Sequence, residues 1–176
     1  MQNIKAYIML VCASLFWAGN FIVGKYAFLT EIPPLSLVFY RWSLVWIILL
    51  PFTYKEIIKY KDTILNNLPL LFFLGLTSVG LFNSFTYLSL IHTQVINASL
   101  FNTAIPTIII LLCFLFKIEK TNRFQILGLI VSVIGILSII AKLNLDILLS
   151  LDFNKGDIIM IGGVITWGIY LSLIHI

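Results

Sequence analysis

Two cations and six uncharged polar or aromatic side chains lie within apolar sequence, where each must find a partner. Arg41 falls six residues into the run 35–52, and Lys25 stands near the end of the run 6–29. Trp17, Asn20, Asn83, Tyr87, Asn97 and Asn102 occupy the same or neighbouring runs. A charged group at membrane depth reaches the headgroups, lines a water-filled cavity or pairs with another polar group. Together these eight residues suit recognition, offering hydrogen bonds and positive potential to a small polar solute such as one bearing a carboxylate. Trp17 and Asn20 are three apart and share a helix face, whereas Lys25 lies about 140° round from Asn20. Asn83 and Tyr87 are four apart and also share a face, so they can line a cavity with Asn97 or Asn102. A plainer reading stands beside each one. Lys25 can snorkel to the interface, and the asparagines can simply join helices through hydrogen bonds worth less than about 2 kcal/mol each.

Bond-making chemistry has no footing in the chain. There is no H-E-x-x-H, G-x-S-x-G, P-loop or G-x-G-x-x-G, and His92 and His175 are far apart. Neither a metal site nor a cofactor is expected, and the chain is not expected to be an enzyme. Cys12 and Cys113 fall in apolar runs without C-x-x-C spacing and read as small hydrophobic side chains. All seven acidic residues lie in loops or at helix ends, so no mid-membrane carboxylate is expected to alternate between a proton and a cationic drug.

The elements that must position the polar groups are membrane helices. Of 176 residues, 61% are hydrophobic and 10% charged, and the mean hydropathy is +1.09. A soluble fold could not bury that much apolar surface. The net charge of +4 is scattered over connecting segments with no basic stripe, which argues against a nucleic acid partner. The N-terminal apolar run continues past Trp17 without a cleavage-like site and reads as a retained helix. Runs of spanning length predict crossings over about 6–29, 35–52, 68–91, 95–116 and 124–141, with a sixth apolar run at 158–176. Glu31-Ile32-Pro33-Pro34 predicts a turn, 53–67 a hydrophilic loop, His92-Thr93-Gln94 a hinge, and 142–157 a longer loop. Pro106 predicts a kink in the fourth crossing, which ends at the charged cluster Lys117, Glu119, Lys120 and Arg123. Gly128 and Ser132 have the spacing that lets helices approach closely. The expected fold class is an all-α integral membrane protein, a multi-spanning helical bundle.

The segment Asn97-Ala98-Ser99-Leu100, Pro106, Glu119, Gln125 and Gly128 resembles the junction of the fourth and fifth helices in EamA-type permeases of the drug/metabolite transporter superfamily. LFWAGNFIVGK, with Trp17, Asn20 and Lys25, resembles the opening signature of the same family, and Arg41 after Pro34 and Leu35 matches an arginine of its second helix. Ile118-Glu119 departs from the usual Gly-Glu pair. The resemblance implies a ten-helix transporter built from two five-helix repeats. On that pattern residues 1–141 are one repeat, 142–157 an extracytoplasmic loop, and 158–176 the first helix of an incomplete second repeat. Phe16-Trp17-Ala18 is echoed by Thr166-Trp167-Gly168, with His175 in the register of Lys25. A repeat displaced by an odd number of crossings must be inverted, the arrangement used for alternating access.

Lysines and arginines outside the crossings divide seven to two between alternate sides, which predicts a cytoplasmic N-terminus in a multi-pass protein of the inner (plasma) membrane. The function expected is secondary transport of a small polar or amphipathic metabolite such as an amino acid, outward by family analogy. The expected partners are the solute, the lipid bilayer, and a second repeat or a second copy of the chain. The alternatives are a structural or assembly subunit that moves nothing and a lipid-carrier flippase.

Overall fold

A computed structural model describes residues 2–115, 122–141, 143, 144, 146 and 154–174. Its helices are α1 (Gln2–Leu29), α2 (Pro34–Lys59), the short α3 (Lys61–Asn66), α4 (Leu68–His92), α5 (Val95–Leu115), α6 (Arg123–Ile140) and α7 (Lys155–Leu173). Five of them, α1, α2, α4, α5 and α7, are long and apolar enough to cross a membrane. The 18 residues of α6 reach about 27 Å, close to the thickness of the hydrocarbon core. The all-helical, multi-spanning class expected from the sequence is therefore the one observed. The charged cluster at Lys117, Glu119 and Lys120, most of the 142–157 loop, and His175 lie outside the described residues.

The first connection is set by two local devices. Glu31 adopts φ 63, and the bonds Ile32 N–H to Ala27 O and Glu31 N–H to Phe28 O close α1 in a Schellman arrangement. Pro34 then occupies the first turn of α2, where its missing N–H costs nothing. The predicted loop at 53–67 is largely helical instead. α2 continues past Phe52 to Lys59, and α3 follows after Tyr60. Lys55, Glu56 and Lys59 are exposed there, and Lys59 lies 3.6 Å from Glu56 one turn away. Charged residues that leave the hydrocarbon have no reason to leave the helix, because Lys and Glu are good helix formers.

Two helices depart from regular α geometry. Residues Leu76–Phe82 of α4 form a π-helical segment, a form that recurs at functional sites. In α5, Asn102–Ala104 form a 3₁₀ turn just before Pro106, and the Asn102 carbonyl, which the proline cannot serve, accepts from the Ile105 N–H. The break at Thr93–Gln94 separates α4 from α5 where the hinge was expected.

α4 and α7 are the interior of the bundle. α4 packs against α1, α2 and α7, α7 also packs against α5, and α5 in turn packs against α6. Phe82, Tyr87 and Leu90 of α4, Phe21 of α1, Phe101 and Ile105 of α5, and Met160 and Val164 of α7 form the core. Lipid tails are as apolar as these side chains, so close approach matters more than burial from water. Gly156 provides it for α7 against α4, since a β-carbon there would sit 2.6 Å from the Ser89 carbonyl oxygen. The outer surfaces of α1 and α2 remain largely exposed. A β-carbon added at Gly128 of α6 would meet nothing within 4 Å among the described residues, so the close approach expected at Gly128 and Ser132 is not made at Gly128.

Candidate functional site

A cavity of about 420 Å³ opens at mid-bundle between α1, α2, α4 and α7. α1 contributes Trp17 and Asn20 from one face; α2 contributes Arg41 and Trp42; α4 contributes Ser78, Phe82 and Asn83; α7 contributes Trp167 and Tyr170. The guanidinium of Arg41 is held by neutral groups. Its Nη1 donates to Asn20 Oδ1 and to the Tyr87 hydroxyl oxygen, and that hydroxyl donates to Asn20 Oδ1 at 2.5 Å. The Arg41 group also lies 5.4 Å from the Trp42 ring and 5.9 Å from the Tyr87 ring. Among the described residues Arg41 makes no ion pair. Among the described residues no carboxylate compensates this cation, and an unpaired cation within an apolar helix is a candidate site residue.

This triangle depends on a glycine. Gly24 is four residues after Asn20 on the same face, and a β-carbon there would lie 2.7 Å from two carbons of the Tyr87 ring. Without that β-carbon, Tyr87 lies flush on α1 and its hydroxyl reaches Asn20. Asn83 has a different task from Asn20. Its Nδ2 donates to the carbonyls of Ser78 at 3.1 Å and Val79 at 3.0 Å, satisfying acceptors where the π-helical ladder returns to α-helix.

A second cavity of about 820 Å³ lies at the helix ends where α1 finishes and α5 begins, lined by Lys25, His92, Thr93, Gln94, Asn97, Ser138 and Asn154 among others. Lys25 Nζ donates to the carbonyls of Leu90 at 2.6 Å and Thr93 at 3.0 Å, at the end of α4 where helix carbonyls lack partners and the dipole favours a cation. The Thr93 hydroxyl donates to Asp157 Oδ1 at 2.7 Å. Asp157 is 1% exposed and sits in the first turn of α7, the helix end that favours an anion. Asn154 caps the same helix and also donates to the His92 carbonyl at 2.9 Å.

The eight residues singled out in the sequence thus divide. Trp17, Asn20, Arg41 and Asn83 line the mid-bundle cavity, and Tyr87 is bonded to two of them. Lys25 and Asn97 line the second cavity, as Lys25's position round the helix from Asn20 implied. Asn102 lines neither; its side-chain oxygen is buried beside the 3₁₀ turn without a partner. Trp42, Phe82 and Tyr170 escaped notice, and Trp167 registered only as a repeat echo. Adjacency to Arg41 could have flagged Trp42. Tyr170, three after Trp167 as Asn20 is three after Trp17, could have been found from the echo. Among the described residues no three His, Cys, Asp or Glu side chains gather closely enough to hold a metal ion.

The profile of the EamA-like transporter family matches residues 4–141. Over 173 residues the chain is 28% identical to the uncharacterised transporter YyaM of Bacillus subtilis (strain 168), covering 97% of this chain and 55% of that protein. Over 175 residues it is 31% identical to an uncharacterised transporter of Archaeoglobus fulgidus, covering 98% of this chain and 58% of that protein. The chain therefore spans little more than half the length of these curated relatives. No solved structure matches it significantly. With the family profile running from the first helix to the end of α6, and with cavities rather than reactive groups at the centre of the bundle, this chain belongs to the EamA-like transporter family.

Proposed function

We propose that the chain supplies one side of a secondary transporter that moves a small polar or amphipathic metabolite bearing a carboxylate outward across the plasma membrane by alternating access. The observation that carries this reading is Arg41, a cation held by Asn20 and Tyr87 in a mid-bundle cavity with no counter-ion among the described residues. A stabilising strut would be expected to be neutral or paired; a charge that only neutral groups hold is suited to an anionic guest. Lys25 and Asn97, one cavity further along α1, form the vestibule at the opposite end from the N-terminus. Family membership and the two transporter relatives support the transport role. The seven-to-two division of Lys and Arg supports a cytoplasmic N-terminus. The other wall of the pathway comes from a second repeat or a second copy of the chain.

Counterflow in proteoliposomes made with the full-length protein tests this. Preloaded vesicles are offered a panel of amino acids, other carboxylates, amines and lipid-linked carriers. Exchange of a carboxylate-bearing solute is the expected result. Flux of lipid-linked carriers alone would favour a flippase, and inserted protein that exchanges nothing would favour a structural subunit.

A further inference from the structure

We infer that the mid-bundle cavity selects flat aromatic monocarboxylates, with the acid group on the free edge of Arg41 and the ring against the wall formed by Trp17, Phe82, Trp167 and Tyr170. The inference rests on the reading of this cavity as the solute site and names the class of solute it takes.

Arg41 has five N–H donors in a planar fork. Both of its hydrogen bonds leave from Nη1, and the edge formed by Nε and Nη2 has no partner among the described residues. That edge matches the two oxygens of a carboxylate. Trp42, another residue of the cavity wall, has its ring 5.4 Å from the guanidinium carbon. The open fork asks for a compact anion bearing more than one acceptor atom.

The aromatic wall fixes the rest of the guest. Trp167 of α7 stands at its centre, with ring centroids 4.6 Å from Phe82, 5.0 Å from Tyr170 and 5.7 Å from Trp17. These rings come from three helices and line the cavity together. An incoming ring can add to the cluster edge-on or offset, the arrangements aromatic pairs prefer. The volume of about 420 Å³ is in the range of small-ligand pockets and holds a single-ring acid with room to spare. No acidic residue lines the cavity among the described residues. An ammonium group on the guest would therefore meet Arg41 with only neutral acceptors in compensation, so a simple aromatic acid is favoured over the corresponding zwitterion.

Calorimetric titration of the full-length protein in nanodiscs with phenylacetate, acetate, phenylalanine and phenethylamine tests this. Phenylacetate is expected to bind about tenfold tighter than acetate and tighter than phenylalanine, with no heat from phenethylamine. Arg41→Gln should abolish the phenylacetate signal, and Tyr170→Leu should narrow the gap between phenylacetate and acetate. Because Trp167→Leu risks the packing of α7, Tyr170 at the cavity edge is the variant that decides. Equal affinity for acetate and phenylacetate, binding of phenethylamine, preference for phenylalanine, or no binding of any of the four would overturn the inference. Phenylacetate binding with no vesicle flux would leave the inference standing and remove the transport reading; flux without aromatic preference would do the reverse.

Discussion

The rings of Trp17 and Trp167 meet edge to face, with centroids 5.7 Å apart and planes at 84°. In sequence they hold the same place in the short echo of Phe16-Trp17-Ala18 by Thr166-Trp167-Gly168, and in space their rings touch in the wall of the cavity that both line. Each is followed three residues later by a polar cavity residue, Asn20 on α1 and Tyr170 on α7. The same pattern thus approaches one cavity from two helices. An inverted repeat would produce this if α7 runs opposite to α1, with five crossings preceding it.

Reporter tags placed just before Lys5 and just after Asp157 should be accessible from opposite sides of the membrane, the first from the cytoplasm. Labelling of both from one side would remove the inverted relation.

Gly24→Val should push the Tyr87 ring off α1. Tyr87 is 2% exposed, so the ring has little room to give. Overpacking of this kind destabilises by about 1–3 kcal/mol, and displacement of the hydroxyl should also weaken solute binding through Arg41. Thermal unfolding in detergent and calorimetric affinity should fall together; a change in neither would show that the contact is dispensable.

Thr93→Val keeps the shape of the side chain and removes the donor to Asp157. A buried carboxylate deprived of its hydrogen bond should cost about 1–3 kcal/mol. The loss should appear as a lowered unfolding midpoint, with phenylacetate affinity at the mid-bundle cavity unchanged. An unchanged midpoint would mean that this junction does not hold α4 to α7.

Asn83→Leu leaves the Ser78 and Val79 carbonyls without their side-chain donor. Amide exchange over Leu76–Phe82 should accelerate by about tenfold or more, reflecting a local loss of about 1–3 kcal/mol. Exchange unchanged in that segment would show that the π-helical register holds without Asn83.

What the sequence made legible was whatever the bilayer dictates. Apolar run lengths located the long helices, and the isolation of Arg41 in such a run marks it as a residue in need of partners. The spacing of Trp17, Asn20 and Lys25 correctly separated Lys25 from the other two around α1. Hydropathy reports where the membrane ends and not where the helix ends, which is why α2 outlasts Phe52 by two turns. The π-helical stretch and the 3₁₀ turn are choices of hydrogen-bond register that leave little trace in residue type, apart from Pro106. Trp42, Phe82 and Tyr170 became cavity residues only through packing of distant helices. Asp157 reads as a loop-edge carboxylate, yet it is buried because the end of α4 folds over the start of α7.

Solute binding in the mid-bundle cavity turns on Arg41. The decisive measurement is proteoliposome exchange of phenylacetate by wild-type protein, Arg41→Lys and Arg41→Gln, with insertion and unfolding midpoint measured for each. Near-complete loss of exchange is expected in Arg41→Gln and a partial loss in Arg41→Lys, which keeps the charge and loses the fork, with all three inserted in equal amounts. Exchange by Arg41→Gln at the wild-type rate would contradict this dependence on Arg41.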